Sequence, residues 1–147
     1  MKKILLLVAM FVTSAVGSGL YAQAQWMNNL NDNIFISQMS LPGAHDAATK
    51  SLSIGKCQDK DIAGLWDAGV RVFDLRPTDS GNDCTINHGI LSTGVTLRAA
   101  LTTITGKLST NDTEFAIVLM RKEDGGDTWA TKVANVISQF SNVMPFR

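Results

Sequence analysis

The chain has 147 residues, with 13 basic and 13 acidic side chains and a formal net charge of zero. A balanced charge provides no global positive field to attract nucleic acid, so we expect no nucleic-acid partner. The length allows a domain with a substantial core, but it falls short of the roughly 200 to 250 residues of a complete (β/α)₈ barrel.

The first 24 residues have the pattern of a secretory signal peptide. Lys2 and Lys3 precede a long uncharged apolar run that ends in Ala22-Gln23-Ala24. This order predicts cleavage after Ala24 and a secreted or periplasmic protein. An uncleaved membrane anchor is the alternative, because the run approaches membrane-spanning length. The predicted organisation is a signal peptide over 1–24 and one domain over 25–147.

Strand-like and helix-like segments alternate along the rest of the chain. Four apolar segments predict strands: 34–41, 70–76, 84–88 and 114–120. Helices are predicted around 26–30, after Asp59 or Asp61 as far as Gly69, after a cap at Thr93 or Thr96, and from Asp127 onward. The alternation predicts an α/β fold with a mainly parallel sheet. The link between the second and third strands is too short for an ordinary parallel crossover.

Cys57 and Cys84 are the two cysteines of the chain. Because an exported protein meets an oxidising environment, the pair predicts a disulfide. Two separate thiols are the alternative.

Both histidines of the chain, His45 and His88, stand where a predicted strand has just ended. The carboxyl ends of parallel strands form the ligand face of an α/β sheet or barrel, so both imidazoles are expected in one crevice. Asp46 is beside His45, and Asp74 and Arg76 share one face of the second strand. Placing charged side chains on the inner face of a buried strand costs several kcal/mol unless they are paired, which argues for a functional role.

This set of side chains suits phosphoryl transfer by general acid and base. One imidazole can remove a proton from the attacking hydroxyl, the other can protonate the leaving oxygen, and a guanidinium can neutralise the phosphoryl charge. A zinc or iron site on His45, Asp46, Asp74 and His88 is the alternative. The fixed cation of Arg76 argues against it, and we expect no metal cofactor.

Residues 41–46, 65–76 and 87–89 carry a family resemblance. Their Pro-Gly-x-His-Asp turn, Ala-Gly-Val-Arg-x-Phe-Asp-Leu-Arg strand and later His-Gly resemble the catalytic X domain of bacterial phosphatidylinositol-specific phospholipase C. The chain has Ala44 and Ala47 where Thr and Ser are usual in that family. The resemblance implies a distorted TIM barrel, of which 25–147 would be the N-terminal part, an incomplete barrel with about four strands.

The resemblance also implies a reaction. The family cleaves phosphatidylinositol, or glycosyl-phosphatidylinositol anchors, to diacylglycerol and an inositol cyclic phosphate. His45 then resembles the base that activates the inositol 2-hydroxyl. His88 resembles the acid that protonates the diacylglycerol oxygen, helped by Asp46.

Three further positions match the family pattern. Arg76 resembles the arginine that replaces calcium in metal-independent members, and Asp74 resembles its orienting carboxylate. Arg121, after the fourth strand, resembles a basic substrate-binding residue. The second half of the family's barrel, which supplies an aspartate partner for the base histidine and an aromatic residue under the inositol ring, has no counterpart in this sequence.

Two other functions stay open at this point. The chain could be a non-catalytic remnant or a lipid-headgroup binding module that self-associates through its open sheet edges. A glycerophosphodiester phosphodiesterase is the second alternative, although that family resembles a His-Arg-Gly start with a Glu-x-Asp calcium pair.

Overall fold

The computed structural model describes residues 25–123 and 125–145. The predicted signal peptide over 1–24 lies outside the described residues. Within the described residues, no helix is both long enough and apolar enough to cross a bilayer.

The described chain contains five strands, three α-helices and three single turns of 3₁₀-helix. The strands are β1 (Gly43–Ala44), β2 (Val72–Leu75), β3 (Thr85–His88), β4 (Leu91–Thr96) and β5 (Ile117–Met120). The α-helices are α1 (Ile62–Asp67), α2 (Leu97–Ser109) and α3 (Trp129–Ile137). The 3₁₀ turns are Met27–Asn29, Ile36–Gln38 and Thr49–Ser51.

A parallel sheet in the order β1-β2-β5 forms the centre of the fold. In its register Phe73 stands opposite Val118 and Asp74 stands opposite Leu119. The α/β class with parallel strands is therefore confirmed.

The predicted third strand lies outside this sheet. β3 instead pairs antiparallel with β4 in a hairpin whose turn is Gly89-Ile90. Gly89 has a φ of 57°, a left-handed conformation that favours glycine. The hairpin explains why the link from β2 to β3 is short, since an antiparallel excursion needs no crossover helix.

The prediction of a strand over 34–41 is wrong. Ile36–Gln38 forms a 3₁₀ turn, and Phe35 and Ile36 are 71% and 57% exposed. Pairing with β2 begins only at Pro42, whose carbonyl accepts hydrogen bonds from the backbone N–H groups of Arg71 and Val72. The apolar run has no neighbouring strand in the described chain to pair with, and it therefore stays exposed.

Helix starts agree closely with the sequence signals. The Asp61 side chain caps α1 by accepting from Gly64 N–H at 2.8 Å, and the Thr96 side chain caps α2 by accepting from Ala99 N–H. Thr93, the alternative cap, instead donates its hydroxyl to the carbonyl of Ile86. The last helix begins at Trp129, two residues after the predicted start.

The two faces of β2 have opposite characters. Phe73 and Leu75 are fully buried in the hydrophobic core, which α1, α2 and α3 help to form. Asp74 and Arg76 lie on the other face, as the two-residue period of a strand predicts. On that face Leu119 of β5 is 54% exposed. The helices therefore cover one face of the sheet, and the other face is the one that carries charge.

Arg71, just before β2, is buried for a structural reason. Its Nε donates to Glu114 Oε2 at 2.7 Å, and its guanidinium lies 3.8 Å from the centroid of the Trp66 ring. Glu114 Oε1 also accepts from the backbone N–H of Met27 at 2.8 Å. The buried pair thus joins three distant parts of the chain.

The predicted disulfide is wrong, because both cysteines are free thiols. Cys84 is fully buried in the hydrophobic core, where burial raises the pKa of its thiol. Cys57 is exposed, and its Sγ contacts Asp46 Oδ2. The two side chains therefore belong to different environments, one in the core and one at the charged edge of the sheet.

Candidate active site

The turn after β1 places His45 and Asp46 at the carboxyl edge of the sheet. Asp46 has a φ of 47° and is 3% exposed. Its backbone N–H points at Asp74 Oδ2 at 3.4 Å, and the next N–H, of Ala47, donates to the Asp74 carbonyl at 2.9 Å. β2 therefore holds the turn in a conformation that buries one side chain and leaves the other, His45, 63% exposed.

The Asp46 carboxylate is the centre of the charged cluster. Its Oδ2 lies 3.1 Å from His45 Nε2 and 3.4 Å from His88 Nε2. Its Oδ1 lies 2.8 Å from Arg76 Nε. This last contact is an ion pair and not a hydrogen bond, because Arg76 Nε–H is not directed at an acceptor among the described residues. One carboxylate thus brings both imidazoles and a guanidinium together.

Asp74 supports the same cluster from β2. Its Oδ2 lies 2.9 Å from His45 Nδ1 and 3.5 Å from Arg76 Nη2. When His45 is neutral and donates Nδ1–H to Asp74, its Nε2 carries the lone pair and can accept a proton.

Arg76 has a third acidic partner, Glu123, that sequence reasoning missed. Nη1 of Arg76 donates to Glu123 Oε2 at 2.8 Å, and Glu123 Oε1 accepts from Gly89 N–H at 3.3 Å. Burial alone would lower the pKa of Arg76, but the hydrogen bond to Glu123 and the charges of Asp46 and Asp74 raise it above its ordinary value. The guanidinium is therefore a permanent positive charge. Glu123 follows β5 by three residues, so its position at a strand end was the available signal.

His88 enters the cluster from the end of β3. Its side chain is 30% exposed, and its buried Nδ1 has no hydrogen-bond partner among the described residues. Gly55, at a φ of 74°, packs against the ring: a Cβ built there would stand 2.7 Å from His88 Nδ1. The loop containing Gly55 and Cys57 therefore forms one wall of the site, which sequence reasoning also missed.

The structure brings five of the six proposed site residues together and leaves the sixth apart. His45, Asp46, Asp74, Arg76 and His88 share the contacts described above. Arg121 is exposed just after β5, and within the described chain no hydrogen bond or ion pair joins its side chain to the cluster. Its backbone N–H donates to the Leu75 carbonyl, which extends the β2–β5 pairing by one bond.

Comparison with known proteins identifies the family. A sequence model described as "Phosphatidylinositol-specific phospholipase C, X domain" matches residues 35–144. A protein of Staphylococcus aureus named 1-phosphatidylinositol phosphodiesterase is 28% identical over 90% of this chain and 46% of its own length. Its namesake in Listeria monocytogenes is 27% identical over 80% of this chain and 39% of its own length.

Solved structures show the same relationship. A mutant of the phosphatidylinositol-specific phospholipase C of Staphylococcus aureus superposes with a TM-score of 0.75 at 25% identity, over 84% of this chain and 46% of that one. The enzyme of Listeria monocytogenes superposes with a TM-score of 0.70 at 26% identity, over 79% of this chain and 44% of that one.

The chain spans less than half the length of the relatives it matches. Its few parallel strands form part of a TIM barrel, which confirms the fold expected from the resemblance. The order of the motifs, the described fold and the family match agree: the chain belongs to the X-domain family of phosphatidylinositol-specific phospholipase C.

Proposed function

We propose that this chain is the N-terminal part of an exported phosphodiesterase that cleaves phosphatidylinositol, or glycosyl-phosphatidylinositol anchors, to diacylglycerol and an inositol cyclic phosphate. The observation that carries the proposal is the shared Asp46 carboxylate, with two imidazoles on one oxygen and a guanidinium on the other. The names of the relatives, 1-phosphatidylinositol phosphodiesterase, support the substrate.

His45 is the proposed general base. Asp74 orients its ring through Nδ1, and Nε2 receives the proton of the inositol 2-hydroxyl as the oxygen attacks phosphorus. The proton gained at Nε2 then faces Asp46 Oδ2, which stabilises the imidazolium. The exposed ring of His45 is accessible to a lipid headgroup.

His88 is the proposed general acid. As an imidazolium it donates a proton to the departing diacylglycerol oxygen, and Asp46 Oδ2 stabilises the charged form beforehand. Arg76 provides the positive charge that compensates the phosphoryl oxygens. Because a guanidinium supplies that charge, we propose a reaction that needs no metal cofactor. Arg121, exposed just after β5, is kept as a proposed headgroup contact.

Exposed apolar side chains border the proposed site and suit a lipid substrate. Ile54, next to Gly55, is 78% exposed, and Ile90, in the turn after His88, is 93% exposed. Large apolar side chains that stand free beside a charged crevice can enter the interfacial region of a membrane. Insertion of Ile54 and Ile90 would bring the two histidines close to the depth at which the lipid phosphodiesters lie.

The test is the release of inositol phosphate from phosphatidylinositol vesicles in EGTA by the purified chain beginning at Gln25. We expect calcium-independent turnover that His45→Ala or His88→Ala abolishes. Asp112→Asn, an exposed carboxylate beyond α2, is the control and should leave turnover unchanged. Full turnover in either histidine variant would contradict the assigned roles.

A lipid-headgroup binding module is the second candidate. It is favoured by one observation, that the described parallel sheet has three strands, with β1 and β5 at its edges. Such a module would bind phosphatidylinositol vesicles through the same cluster without turnover, and the open sheet edges would favour self-association. Sedimentation with vesicles, measured beside turnover, separates the two functions.

Export is the remaining part of the proposal. Cleavage after Ala24 would leave Gln25 as the first residue of the secreted or periplasmic form. N-terminal sequencing of the protein recovered outside the cytoplasm would show Gln25, whereas a retained Met1 would contradict cleavage.

A further inference from the structure

The Cys57 thiol reaches the candidate site from the loop after the Thr49–Ser51 turn. Its Sγ lies 3.8 Å from Asp46 Oδ2, and the ligand atoms of His45, Asp46 and Cys57 all lie within 4.8 Å of one another. We infer that these three residues form a binding site for Zn²⁺ or a similar thiol-seeking divalent cation, and that the bound ion removes His45 from proton transfer.

Two of the three donor spacings are close to those of a tetrahedral ion, and the third, between His45 and Cys57, is within 4.8 Å. Zn–S bonds of about 2.3 Å and Zn–N and Zn–O bonds of about 2.0 to 2.2 Å put bound ligand atoms roughly 3.3 to 3.7 Å apart. The contacts to Asp46 Oδ2, 3.1 Å from His45 Nε2 and 3.8 Å from Cys57 Sγ, bracket that range. His45 and Cys57 are exposed, so both can adjust and the ion can enter from solvent.

His45 has the outer contact that an imidazole ligand needs. A metal-bound histidine commonly donates its other ring N–H to a carboxylate, which fixes the tautomer. Asp74 Oδ2 lies 2.9 Å from His45 Nδ1 and leaves Nε2 facing Asp46. His88 lacks such a contact, because its Nδ1 has no hydrogen-bond partner in the described chain. We therefore assign His45 as the imidazole ligand.

The charge of the cluster also favours a cation. Three carboxylates, Asp46, Asp74 and Glu123, surround one guanidinium, so the formal charge is minus two when both imidazoles are neutral. Binding as thiolate adds another negative charge, and the thiol proton passes to solvent. Arg76 contacts the opposite oxygen of Asp46, so it weakens the affinity without occupying the site. Because Arg76 weakens the affinity, we expect the ion to bind reversibly, unlike a permanent structural metal.

Inhibition follows from the ligand assignment. An ion on His45 Nε2 occupies the lone pair that, in the proposed function, accepts the proton of the substrate hydroxyl. The inhibitory consequence rests on the proposed function, whereas the binding of the ion does not.

Co²⁺ is the probe for binding, because a Co²⁺–thiolate bond produces a near-ultraviolet charge-transfer band independent of activity. Titration of the purified chain should produce this band together with the visible spectrum of a tetrahedral ion, and Zn²⁺ should displace it. Cys57→Ser should remove the band and weaken Zn²⁺ binding, measured by calorimetry, by at least about tenfold, since even outer-shell partners are worth about 10- to 100-fold. Asp59→Asn, an exposed carboxylate two residues away, is the matched control and should retain both.

The absence of the thiolate band, or equal Zn²⁺ affinity in Cys57→Ser, would overturn the site. In the activity arm, Zn²⁺ should inhibit phosphatidylinositol cleavage and EDTA should restore it, and the inhibitory concentration should rise in Cys57→Ser relative to that variant's own metal-free rate. Zn²⁺ that binds but leaves turnover unchanged would overturn the inhibitory role. If the metal-free chain shows no turnover, the proposed function fails, and the Co²⁺ spectrum still decides the site.

Discussion

At the scale of single residues, the site depends on close contacts that leave little room for a larger side chain or a different backbone conformation. Gly55 has a φ of 74° and packs directly against the His88 ring. Both its backbone conformation and the lack of space for a Cβ therefore require glycine. Asp46 likewise combines a left-handed backbone with a buried carboxylate that has four partners, His45, His88, Arg76 and Cys57. Changes at these positions affect geometry and charge together, and informative variants must separate the two.

Gly55→Ala tests the close approach to His88. The new Cβ would stand 2.7 Å from His88 Nδ1, so the ring must move away from Asp46 and turnover should fall by at least about tenfold, which raises the barrier by roughly 1.4 kcal/mol. Gly94→Ala is the matched control, because Gly94 has the same φ of 74° and nothing within 4 Å. Turnover on phosphatidylinositol vesicles and thermal unfolding should be measured for both. Equal losses of turnover would show that backbone strain, and not the contact with His88, is responsible.

Arg76→Lys tests whether the site needs a planar guanidinium with several donor nitrogens. A lysine ammonium cannot reach Asp46, Asp74 and Glu123 together, because it presents one charged atom where Arg76 presents three nitrogens. We expect kcat to fall about 10²- to 10³-fold, the loss typical of one preorganised charge-stabilising donor. Arg98→Lys, whose arginine pairs with Asp83 away from the site, should retain turnover. Activity of Arg76→Lys within a few fold of the parent protein would contradict the role.

At the scale of elements, the sequence predicted helices better than strands. Asp61 and Thr96 are local signals, since a cap is satisfied by a backbone N–H three residues away. Strands need partners that local sequence does not contain, and so the apolar segment 34–41 was wrongly predicted to pair. β4 was missed because Ser92, Thr93 and Gly94 interrupt any apolar alternation, although its pairing with β3 is clear in the structure.

The same distinction applies to the site. Four of the five clustered residues could be predicted because they lie at the ends of β1 and β2, and strand ends converge in a parallel sheet. His88 was predicted by the same rule, although the strand that it ends, β3, pairs antiparallel outside that sheet. Glu123 was missed although it follows the end of β5, and Cys57 could not be placed by that rule. Cys57 comes from a loop, and its direction depends on the bond from its backbone N–H to Thr49 Oγ1. The predicted disulfide with Cys84 was wrong because the number of cysteines does not indicate where their side chains point.

Asp61→Ala tests the cap of α1 and its dependence on pH. The hydrogen bond from Gly64 N–H, and then the contact with Lys50, lower the pKa of Asp61 below 3.8. The stabilisation by the carboxylate is therefore complete well above pH 3.8 and is lost as the pH falls through the lower pKa of the folded state. Loss of the cap should cost about 1 kcal/mol at neutral pH.

Urea unfolding at pH 7 and near pH 3 measures this difference. The difference in stability between Asp61→Ala and the parent protein should be smaller at the lower pH than at pH 7. Asp32→Ala, an exposed carboxylate that caps no helix, is the control and should leave stability nearly unchanged. A difference that is the same at both pH values would show that the charge of Asp61 is not the cause.

At the scale of the whole molecule, the two faces of the sheet are unequally covered. α1, α2 and α3 bury Phe73 and Leu75, whereas Leu119 on the opposite face is 54% exposed. In a complete TIM barrel that second face is the packed interior. β1 and β5 are also edge strands within the described chain, so backbone groups on their outer sides are open to another strand.

Leu119→Lys tests whether this uncovered face causes association. We expect the parent chain to self-associate as its concentration rises, because a second copy would cover apolar surface and pair with an open edge. A lysine at 119 should shift the equilibrium toward the monomer in analytical ultracentrifugation. Met144→Lys is the control, since Met144 is 90% exposed and lies outside the sheet. A parent chain that stays monomeric at all concentrations would contradict the prediction.

The buried pair of Arg71 and Glu114 has a consequence for the order of folding. Glu114 is 43 residues from Arg71 and 87 from Met27 along the chain, and it contacts both. Until Glu114 has been synthesised, Arg71 is a charge without its buried counter-ion, and burying it against Trp66 is strongly unfavourable. Contacts so distant in sequence also form slowly. The segments that this pair joins therefore cannot complete their packing until residue 114 has been synthesised.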